Sequence, residues 1–308
     1  MAIFKKKQVK DEASILTQRT KSEKVLYGFV FAIFFIYSAV LVYAILYLFI
    51  NSFQDAYIYK MNRATGGHSP FEFPEVWKFS NYKIAIEMNV NNSLAESVYL
   101  PQMFLNSIWY CAIVVGEQVL MSCFTGYIFS KYSFKGKEFL YALVIFSMTV
   151  PVVGTTGAMF KLISDMGVYN TPLYVIVTSL SGWGFNFMVM YGFFKNVSWS
   201  YAEAVFLDGG GHFTAFFKIM LPQAKMSILT LCIVAFIRTW NDYLTPLMYL
   251  PDYPTLAAGV YQIKLSHAAS NAPAYFATLI ISTIPVVTIY ACFSDVIMKN
   301  FSVGGLKG

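Results

Sequence analysis

Charged and amide side chains lie inside long apolar runs of this chain, where such groups are rare. Glu117 and Asn186 lie in two of these runs, and Arg238, Asn241 and Asp242 lie close together in a third. A charge near the centre of a membrane costs at least about 2.5–3.5 kcal/mol, so it usually faces a partner or a water-filled path. These five residues are therefore candidates for a translocation path or an intramembrane polar network.

The composition agrees with a membrane setting for these groups. The 308 residues are 57% hydrophobic and only 12% charged, whereas a soluble domain carries about 25% charged residues. The net charge of +6 does not indicate nucleic-acid binding, because the basic residues lie in short segments between the apolar runs. The four cysteines and three histidines have neither disulfide nor metal-ligand spacing, so we expect no metal site.

Six apolar runs are long enough to cross a bilayer as helices, which takes about 20 residues each. They are residues 25–50, 104–129, 139–163, 171–194, 226–250 and 273–298. The first run exceeds the roughly 7–15 apolar residues of a secretory signal, so we expect it to be retained as a helix. The predicted fold class is an all-α polytopic membrane protein with six transmembrane helices.

The segments between these runs differ in charge. Lysine and arginine concentrate in residues 1–24, in the loops after the second and fourth runs, and in the tail, residues 299–308. The positive-inside rule places all four segments, and hence both termini, in the cytoplasm. Residues 104–298 then form a transmembrane core of five helices. Residues 51–103 form an outer loop, and a loop of this length usually has a function or structure of its own.

One inner loop, residues 195–225, has the pattern of two helices joined by a tight turn. Ala202 to Leu207 favours a helix, Asp208 can cap the start of the next helix, and the glycines that follow can adopt positive φ. Apolar residues then recur at helical spacing up to Pro222, which we expect to end the second helix. Such an element at a membrane surface offers apolar residues to a partner protein.

This loop resembles the EAA signature of importer permeases, which reads EAA, three residues, Gly, nine residues, Ile, any residue, Leu-Pro. The chain matches that spacing without a gap, and its one departure is a valine in place of the second alanine. The residues that the resemblance assigns to coupling are Glu203, Ala204, Val205, Asp208, Gly209, Gly210, Leu221 and Pro222. Because valine is β-branched, it thickens a close-packing site and slightly weakens the helix.

Further stretches resemble carbohydrate permeases of the maltose-type second subunit. They are Asn106-Ser107-Ile108, Trp240-Asn241-Asp242-Tyr243, and the ending Gly304-Gly305-Leu306-Lys307-Gly308. The resemblance covers nearly the whole chain from the first apolar run onward. The long outer loop and Asn300, where a glycine is usual, depart from it.

The resemblance implies a permease subunit of an ATP-binding-cassette importer for a sugar or oligosaccharide, with the type I permease fold, in the bacterial cytoplasmic membrane. Its implied partners are a homologous second permease, two ATPase subunits that dock on the coupling loop, an extracytoplasmic solute-binding protein and membrane lipid. ATP and Mg²⁺ would bind to the ATPases. This chain would hold no cofactor and no catalytic residue, because it lacks the Gly-x-x-x-x-Gly-Lys-Ser/Thr string of a nucleotide-binding loop.

Other interpretations remain open from the sequence. An importer permease for a non-sugar solute would share the coupling loop. An ion-driven secondary transporter would be expected to show internal repeats, and no clear repeat is visible. A structural membrane protein would not need ionisable residues in its apolar runs.

Glu117 and Arg238 are expected at similar depth. At 1.5 Å per helical residue, Glu117 lies about 21 Å from Lys131 and Arg238 about 20 Å from Lys225, two lysines that mark the cytoplasmic edge. We expect the two side chains either to pair or to line the transport path together. The alternative is that each faces a different partner, such as Asp242, Asn241 or the second permease.

Overall fold

The computed structural model describes residues 21–66, 73–150, 154–266 and 270–303, with side chains described up to residue 294. The chain before residue 21 and the last five residues, which carry the predicted cytoplasmic amino-terminal cations and the family-like ending, lie outside the described residues. Between them the helices, in chain order, are α1 (Lys21–Asn51), α2 (Ala56–Ala64), α3 (Ser80–Glu87), α4 (Leu100–Lys131), α5 (Lys137–Thr149), α6 (Thr156–Asp165), α7 (Pro172–Ser179), α8 (Phe185–Asn196), α9 (Ser200–Leu207), α10 (His212–Thr214), a π-helix (Ala215–Met220), α11 (Leu221–Gln223), α12 (Lys225–Trp240), α13 (Leu244–Tyr249), α14 (Leu256–Ser266) and α15 (Ala272–Val303).

Among the described residues, the one sheet is a hairpin of two short antiparallel strands. Strand β1 (Asn89–Asn91) pairs with β2 (Ser97–Tyr99), and Val90 lies opposite Val98. Together with α2 and α3, this hairpin belongs to the predicted outer loop, so the expectation that this loop carries structure of its own is confirmed.

The predicted spans are helical, but not all of them are continuous. Three helices in the described part of the chain are long and apolar enough to cross a membrane: α1, α4 and residues Ala272–Ser294 of α15. A fourth span results if the pair bent by 74°, His212–Gln223 and Lys225–Trp240, is counted as one.

The other predicted spans are each divided into two shorter helices, contrary to the expected continuous runs. Residues 139–163 divide between α5 and α6, residues 171–194 between α7 and α8, and residues 226–250 between α12 and α13. In the second case the chain leaves helical geometry at Leu180, and Gly184 then has a φ of +95°. Apolarity continues across such a break, so hydropathy alone does not reveal it.

Helix α4 packs against many of the other helices, and its two ends define two ends of the molecule. Its 32 residues span about 48 Å. The β-hairpin leads directly into its first residue, and we call that end the hairpin face. At the other end Lys131 donates a hydrogen bond to the carbonyl of Val197, and Tyr132 contacts His212. We call this end the motif face, because the Glu203–Pro222 segment lies there.

Each end has its own buried cluster. Towards the hairpin face, Met103, Leu250 and Ile263 are fully buried in a cluster that joins α4 to the segments around α13 and α14. Towards the motif face, Phe194 and Met220 are fully buried in a second cluster. Helix α1 contributes little to either, since its apolar side chains are mostly exposed. Lipid is the expected neighbour of such a helix.

A polar junction ties the hairpin face together at Asp252. Its carboxylate accepts hydrogen bonds from the backbone amide and the hydroxyl of Ser93 and from Asn170 Nδ2, the last at 2.5 Å. The Asp252 amide donates in return to Asn170 Oδ1 at 3.0 Å. These hydrogen bonds, led by that of the Ser93 side chain, lower the pKa of Asp252. The junction connects the turn of the hairpin, the segment before α7 and the segment after α13.

Candidate functional site

Helix α9 ends in a Schellman motif at the glycines of the EAA-like segment. The amide of Gly209 donates to the carbonyl of Phe206 at 3.1 Å, and the amide of Gly210 donates to the carbonyl of Val205 at 2.8 Å. Gly209 has a φ of +80°, which side-chain-bearing residues rarely adopt. The predicted positive-φ turn is therefore confirmed at Gly209.

The valine that departs from the EAA pattern packs against the turn. A Cβ atom added to Gly210 would lie 2.5 Å from Cγ1 of Val205 and 3.0 Å from its carbonyl oxygen. Real Cβ atoms essentially never approach another atom below 3.0 Å, so the valine is accommodated because residue 210 is glycine. The two positions form one packing unit.

The expected role of Asp208 as the N-cap of the second helix is wrong. Asp208 is the C-cap residue of α9, and its amide donates to the carbonyl of Ala204 at 3.1 Å. The next helix begins after Gly211, whose backbone is extended and which has no side-chain cap. Three glycines follow Asp208 before the next helix begins at His212. The Asp208 side chain is therefore too far away to cap that helix.

The second helix of the pair also differs from the expectation. A single α-helical turn, His212–Thr214, continues into a π-helix at Ala215–Met220 and then into Leu221–Gln223. Pro222 lies in the first turn of that last helix and does not end the helical path. Proline is compatible with this position, because the first-turn amide has no intrahelical acceptor in any case.

Aromatic contacts mount this pair of helices on α4. The ring of Phe216 stacks on Phe124 with centroids 4.7 Å apart and lies 5.0 Å from the ring of Tyr127. Such aromatic pairs contribute about 0.5–1.5 kcal/mol each beyond their buried area. Tyr132 and His212 add a polar contact, with the hydroxyl 2.8 Å from Nδ1. These contacts fix the buried side of the motif to α4 and to the residue that follows it.

The outer side of the motif presents an apolar tip. Leu207 is 88% exposed just before the turn, and Phe213 is 76% exposed just after it. Glu203, Asp208 and Gly209 are exposed as well. Two large apolar side chains that flank one turn are the arrangement expected of a docking surface. Phe213 is not among the coupling residues predicted from the sequence. Its signal there is the helical spacing to Phe216, which is buried.

Arg238 and Asp242 both line a polar cavity of about 390 Å³ within the helical core. The guanidinium of Arg238 donates to Oε1 of Gln118 at 2.7 Å. The carboxylate of Asp242 accepts from the amide of Thr245 at 3.1 Å, at the start of α13. The other polar side chains around this cavity are those of Tyr110, Tyr174, Thr178, Ser179, Thr239 and Thr245. Its hydroxyl, amide and charged groups could hydrogen-bond a polar solute.

Glu117 neither pairs with Arg238 nor lines this cavity, so neither form of the expectation for these two side chains is met within the described residues. Its neighbour in sequence, Gln118, occupies that position, because consecutive helical residues point about 100° apart. In the described part of the chain, Oε2 of Glu117 is buried without a hydrogen-bond partner. A buried ionised carboxylate needs a charged or hydrogen-bonding partner, so an ionised Glu117 must find that partner outside the described part of this chain.

Two other predicted path residues stay apart from the cavity. Asn241 donates to the carbonyl of Ile237 at 2.8 Å within its own helix. Asn186 lies in the first turn of α8, half-buried. The neighbouring Trp240 serves packing, since its indole nitrogen donates to the carbonyl of Ser282 at 3.2 Å and so joins α12 to α15.

Asn106 and Ser107, like Trp240, join two helices through hydrogen bonds to the backbone. Asn106 donates to the carbonyl of Pro254 at 3.1 Å, and the hydroxyl of Ser107 accepts from the amide of Leu256 at 2.7 Å. Both bonds hold the start of α14 against α4. No cluster of three or more metal-ligating side chains occurs within the described residues.

Comparisons with known proteins agree with this geometry. Residues 118–303 match the family model described as binding-protein-dependent transport system inner membrane component. The diacetylchitobiose uptake system permease protein NgcG of Streptomyces coelicolor is 25% identical over 283 residues, which is 90% of this chain and 87% of that protein. The trehalose/maltose transport system permease protein MalG of Thermococcus litoralis is 25% identical over 74% of this chain and 83% of its own length.

A solved structure shares the fold. It comes from a bacterial ABC transporter involved in the import of the acidic polysaccharide alginate, and the two superpose with a TM-score of 0.73 at 20% sequence identity. The superposition covers 90% of this chain and 98% of the other. The divided helices seen here are therefore compatible with the fold of an importer permease.

Proposed function

This chain belongs to the family of binding-protein-dependent transport system inner membrane components, and from that membership we propose that it is the permease subunit through which an ATP-driven importer moves a carbohydrate across the cytoplasmic membrane. The observation that carries the proposal is the exposed, rigidly mounted turn at Gly209, which lies within the matched region. The chain is a transport subunit, and ATP hydrolysis belongs to separate ATPase subunits, which bind the ATP and Mg²⁺.

The coupling step follows from the shape of the motif face. Leu207 and Phe213 insert into a groove of an ATPase subunit, while Phe216 and Met220 hold the same segment against α4. When ATP binding closes the ATPases, the exposed tip moves with them and the buried side transmits that movement to the membrane helices. A contact energy that differs between two states is what such transmission requires.

This role orients the molecule. The motif face is cytoplasmic, in agreement with the distribution of lysine and arginine, and both termini lie on that side. The hairpin face is extracytoplasmic, where it receives a solute-binding protein. A homologous second permease packs alongside this chain, and we propose it as the source of the missing partner for Glu117.

The carbohydrate assignment rests on relatives and on the polar cavity. The relatives named above are permeases of diacetylchitobiose and of trehalose/maltose systems. The cavity at Arg238 and Asp242 supplies groups that can hydrogen-bond sugar hydroxyls. The alternative of a non-sugar solute would leave the coupling role unchanged.

The docking surface can be tested with Leu207→Ser and Phe213→Ser. Burying one such side chain in a partner is worth about 1.5–3 kcal/mol, so each variant should weaken co-purification of the ATPase about tenfold or more and reduce sugar uptake with it. Leu94→Ser is the matched control, because Leu94 is 71% exposed on the opposite, hairpin face. Wild-type ATPase retention by the Leu207→Ser/Phe213→Ser double variant would exclude this turn as the docking surface.

A further inference from the structure

Three cations surround one cavity on the hairpin face. This cavity, of about 580 Å³, lies between α2, the last turn of α14 and the start of α15, and Lys60, Arg63 and Lys264 line it. Its described lining contains no acidic side chain. Within the described residues, none of the three cations forms an ion pair. Clustered charges of one sign in a cleft create a strong local potential, and an anionic ligand would be attracted there.

Helix α2, which carries two of these cations, is anchored to neighbouring helices. Lys60 and Arg63 are three residues apart on α2, so they project from the same side of that helix. The residue before Lys60, Tyr59, is only 3% exposed. Its ring lies 5.7 Å from that of Phe276 on α15, and its hydroxyl is 3.2 Å from that of Tyr47 on α1. Helix α2 is therefore anchored at the position from which its cations reach the cavity.

A second cavity adjoins the first at Lys264. It has a volume of about 340 Å³, and its walls combine aromatic rings with hydrogen-bonding side chains. The ring-bearing residues are Trp240, Tyr243, Tyr261 and Tyr275, and the hydrogen-bonding groups are Asn241, Ser282 and Thr283. Tyr243 and Tyr261 stack with centroids 4.8 Å apart. Aromatic faces next to amide and hydroxyl groups suit a ligand that has both C–H faces and hydroxyls.

The two cavities follow one another along α15. Ala272, the first residue of that helix, lines the cationic cavity, and Ser282 lines the aromatic one. The aromatic cavity begins at Tyr275, about one helical turn beyond Ala272, so the two cavities are neighbours along this helix. Deeper along α15, a third cavity at Pro285, Ile289 and Phe293 is almost entirely apolar. The groups that can hydrogen-bond a polar ligand thus lie along the outer part of α15, at the cationic and aromatic cavities.

We propose that the cationic cavity and the aromatic cavity together bind a carbohydrate that carries a negative charge, such as a uronic-acid oligosaccharide. The carboxylate lies among Lys60, Arg63 and Lys264, and a sugar ring lies against the tyrosines of the adjoining cavity. This inference rests on the proposed function and adds the chemical class of its substrate. A lipid headgroup would satisfy the cations but would leave the polar, aromatic cavity unused.

Binding of matched trisaccharides to the full chain in nanodiscs tests the inference. Trigalacturonate is the charged probe and maltotriose is the neutral one. The nanodiscs are made of zwitterionic phosphatidylcholine, so that the lipid itself has no net charge. Trigalacturonate should bind at least about tenfold more tightly, and this preference should shrink as salt rises, because exposed charges are screened. Lys60→Gln/Arg63→Gln should weaken trigalacturonate binding about three- to tenfold and leave maltotriose binding unchanged. Lys264→Gln, which changes a residue that lines both cavities, should weaken trigalacturonate binding by more than it weakens maltotriose binding.

The control variant is Lys83→Gln. Lys83 is an exposed cation of α3 in the same outer loop and lines neither cavity, so the variant should bind both probes as the wild type does. Tyr261→Ala should weaken binding of both trisaccharides, since the aromatic wall contacts the ring and not the charge.

Three results would overturn the inference. Equal affinity for the two probes, or no binding of either, would remove the charged-substrate class. Trigalacturonate binding that Lys264→Gln does not weaken would place the anion elsewhere. Retention of phosphatidylglycerol that depends on Lys60 and Arg63, without discrimination between the trisaccharides, would assign the cations to a lipid headgroup. The proposed function would instead fail if no carbohydrate stimulated the ATPase of the complete importer.

Discussion

The two ends of α4 are built in different ways. At the hairpin face, Asp252 joins three separate segments through hydrogen bonds to Ser93 and Asn170. At the motif face, the turn at Gly209 is closed by bonds within one stretch of chain, and its tip, Leu207 and Phe213, is exposed. The hairpin face is thus braced across the chain, whereas the motif face is locally rigid and free to dock. This difference suits the proposed roles, in which the hairpin face receives the solute and the motif face docks on the ATPases.

The largest expected effect follows from Gly209→Val. A β-branched residue at a φ of +80° costs at least about 1–2 kcal/mol and would distort the turn. Uptake and stimulated ATP hydrolysis should fall together by more than about tenfold, whereas membrane insertion should be normal.

Gly136→Val is the matched control for this variant. Gly136 has a φ of +87° and precedes α5 at the same end of the molecule, outside the motif. It should suffer similar strain with much less loss of uptake. Equal loss in the two variants would mean that strain at this end, and not the docking turn, limits transport.

Charge reversal at Glu117 and Arg238 should give the next largest effect. Because Arg238 donates to Gln118 and Glu117 has no described partner, Glu117→Arg and Arg238→Glu should each reduce uptake several-fold or more. The double reversal should be no better than the worse single variant, as measured in the same uptake assay. Clear recovery in the double variant would show that the two charges interact after all in the assembled importer.

A smaller effect is expected from Gly210→Ala. The new methyl group would collide with Cγ1 of Val205, so the turn must shift, and uptake should fall several-fold. Val205→Ala in the same chain removes that collision but not the close carbonyl at 3.0 Å, so the double variant should recover only part of the activity. If Val205→Ala gives no recovery, the valine is not what makes glycine necessary here.

The smallest effect, on stability, is expected at the hairpin face. Asp252→Asn should lower stability by about 1 kcal/mol, since the carboxylate is partly exposed and hydrogen bonds to charged groups contribute modestly in water. Because folding lowers the pKa of Asp252, its contribution is complete above the unfolded pKa of about 3.9 and is lost as pH falls through the folded pKa.

Thermal unfolding in detergent measures this difference between pH 3 and pH 6. The wild type should lose more stability than Asp252→Asn as the pH falls. Asp165→Asn, which changes an exposed acid at the end of α6, should leave the pH dependence as it is in the wild type. Parallel profiles for wild type and Asp252→Asn would show that this junction does not brace the hairpin face.

Sequence reasoning identified the membrane helices and the motif because both depend on local patterns. Long apolar runs predict α1 and α4, and the spacing from Glu203 to Pro222 locates the turn without reference to the rest of the chain. The breaks within other spans could not be predicted in this way, since they depend on backbone geometry at residues such as Leu180 and Asn241 that apolar composition does not encode.

The candidate site was predictable by position but not by contact. Arg238 and Asp242 do line one cavity. Depth alone suggested Glu117 as a partner of Arg238 or as a second residue of the same path, and this was wrong because depth along a helix carries no information about which side of it a residue faces. The rotation that brings Gln118 to Arg238 is set by the packing of α4 against its neighbours. Likewise, Asp208 resembles an N-cap in sequence, but the turn after it places it at a helix end.

The π-helix at Ala215–Met220 has a consequence for how this segment can vary. A π-helical stretch holds one residue more than the α-helix that would cover the same path. Deleting one residue there would let the segment run as an α-helix over the same path, with little change in the direction of the flanking turns. A deletion in the ordinary helical turn at His212–Thr214 has no such outlet and would rotate the residues before it by about 100° relative to those after it. A single deletion within Ala215–Met220 should therefore be tolerated better than one within His212–Thr214.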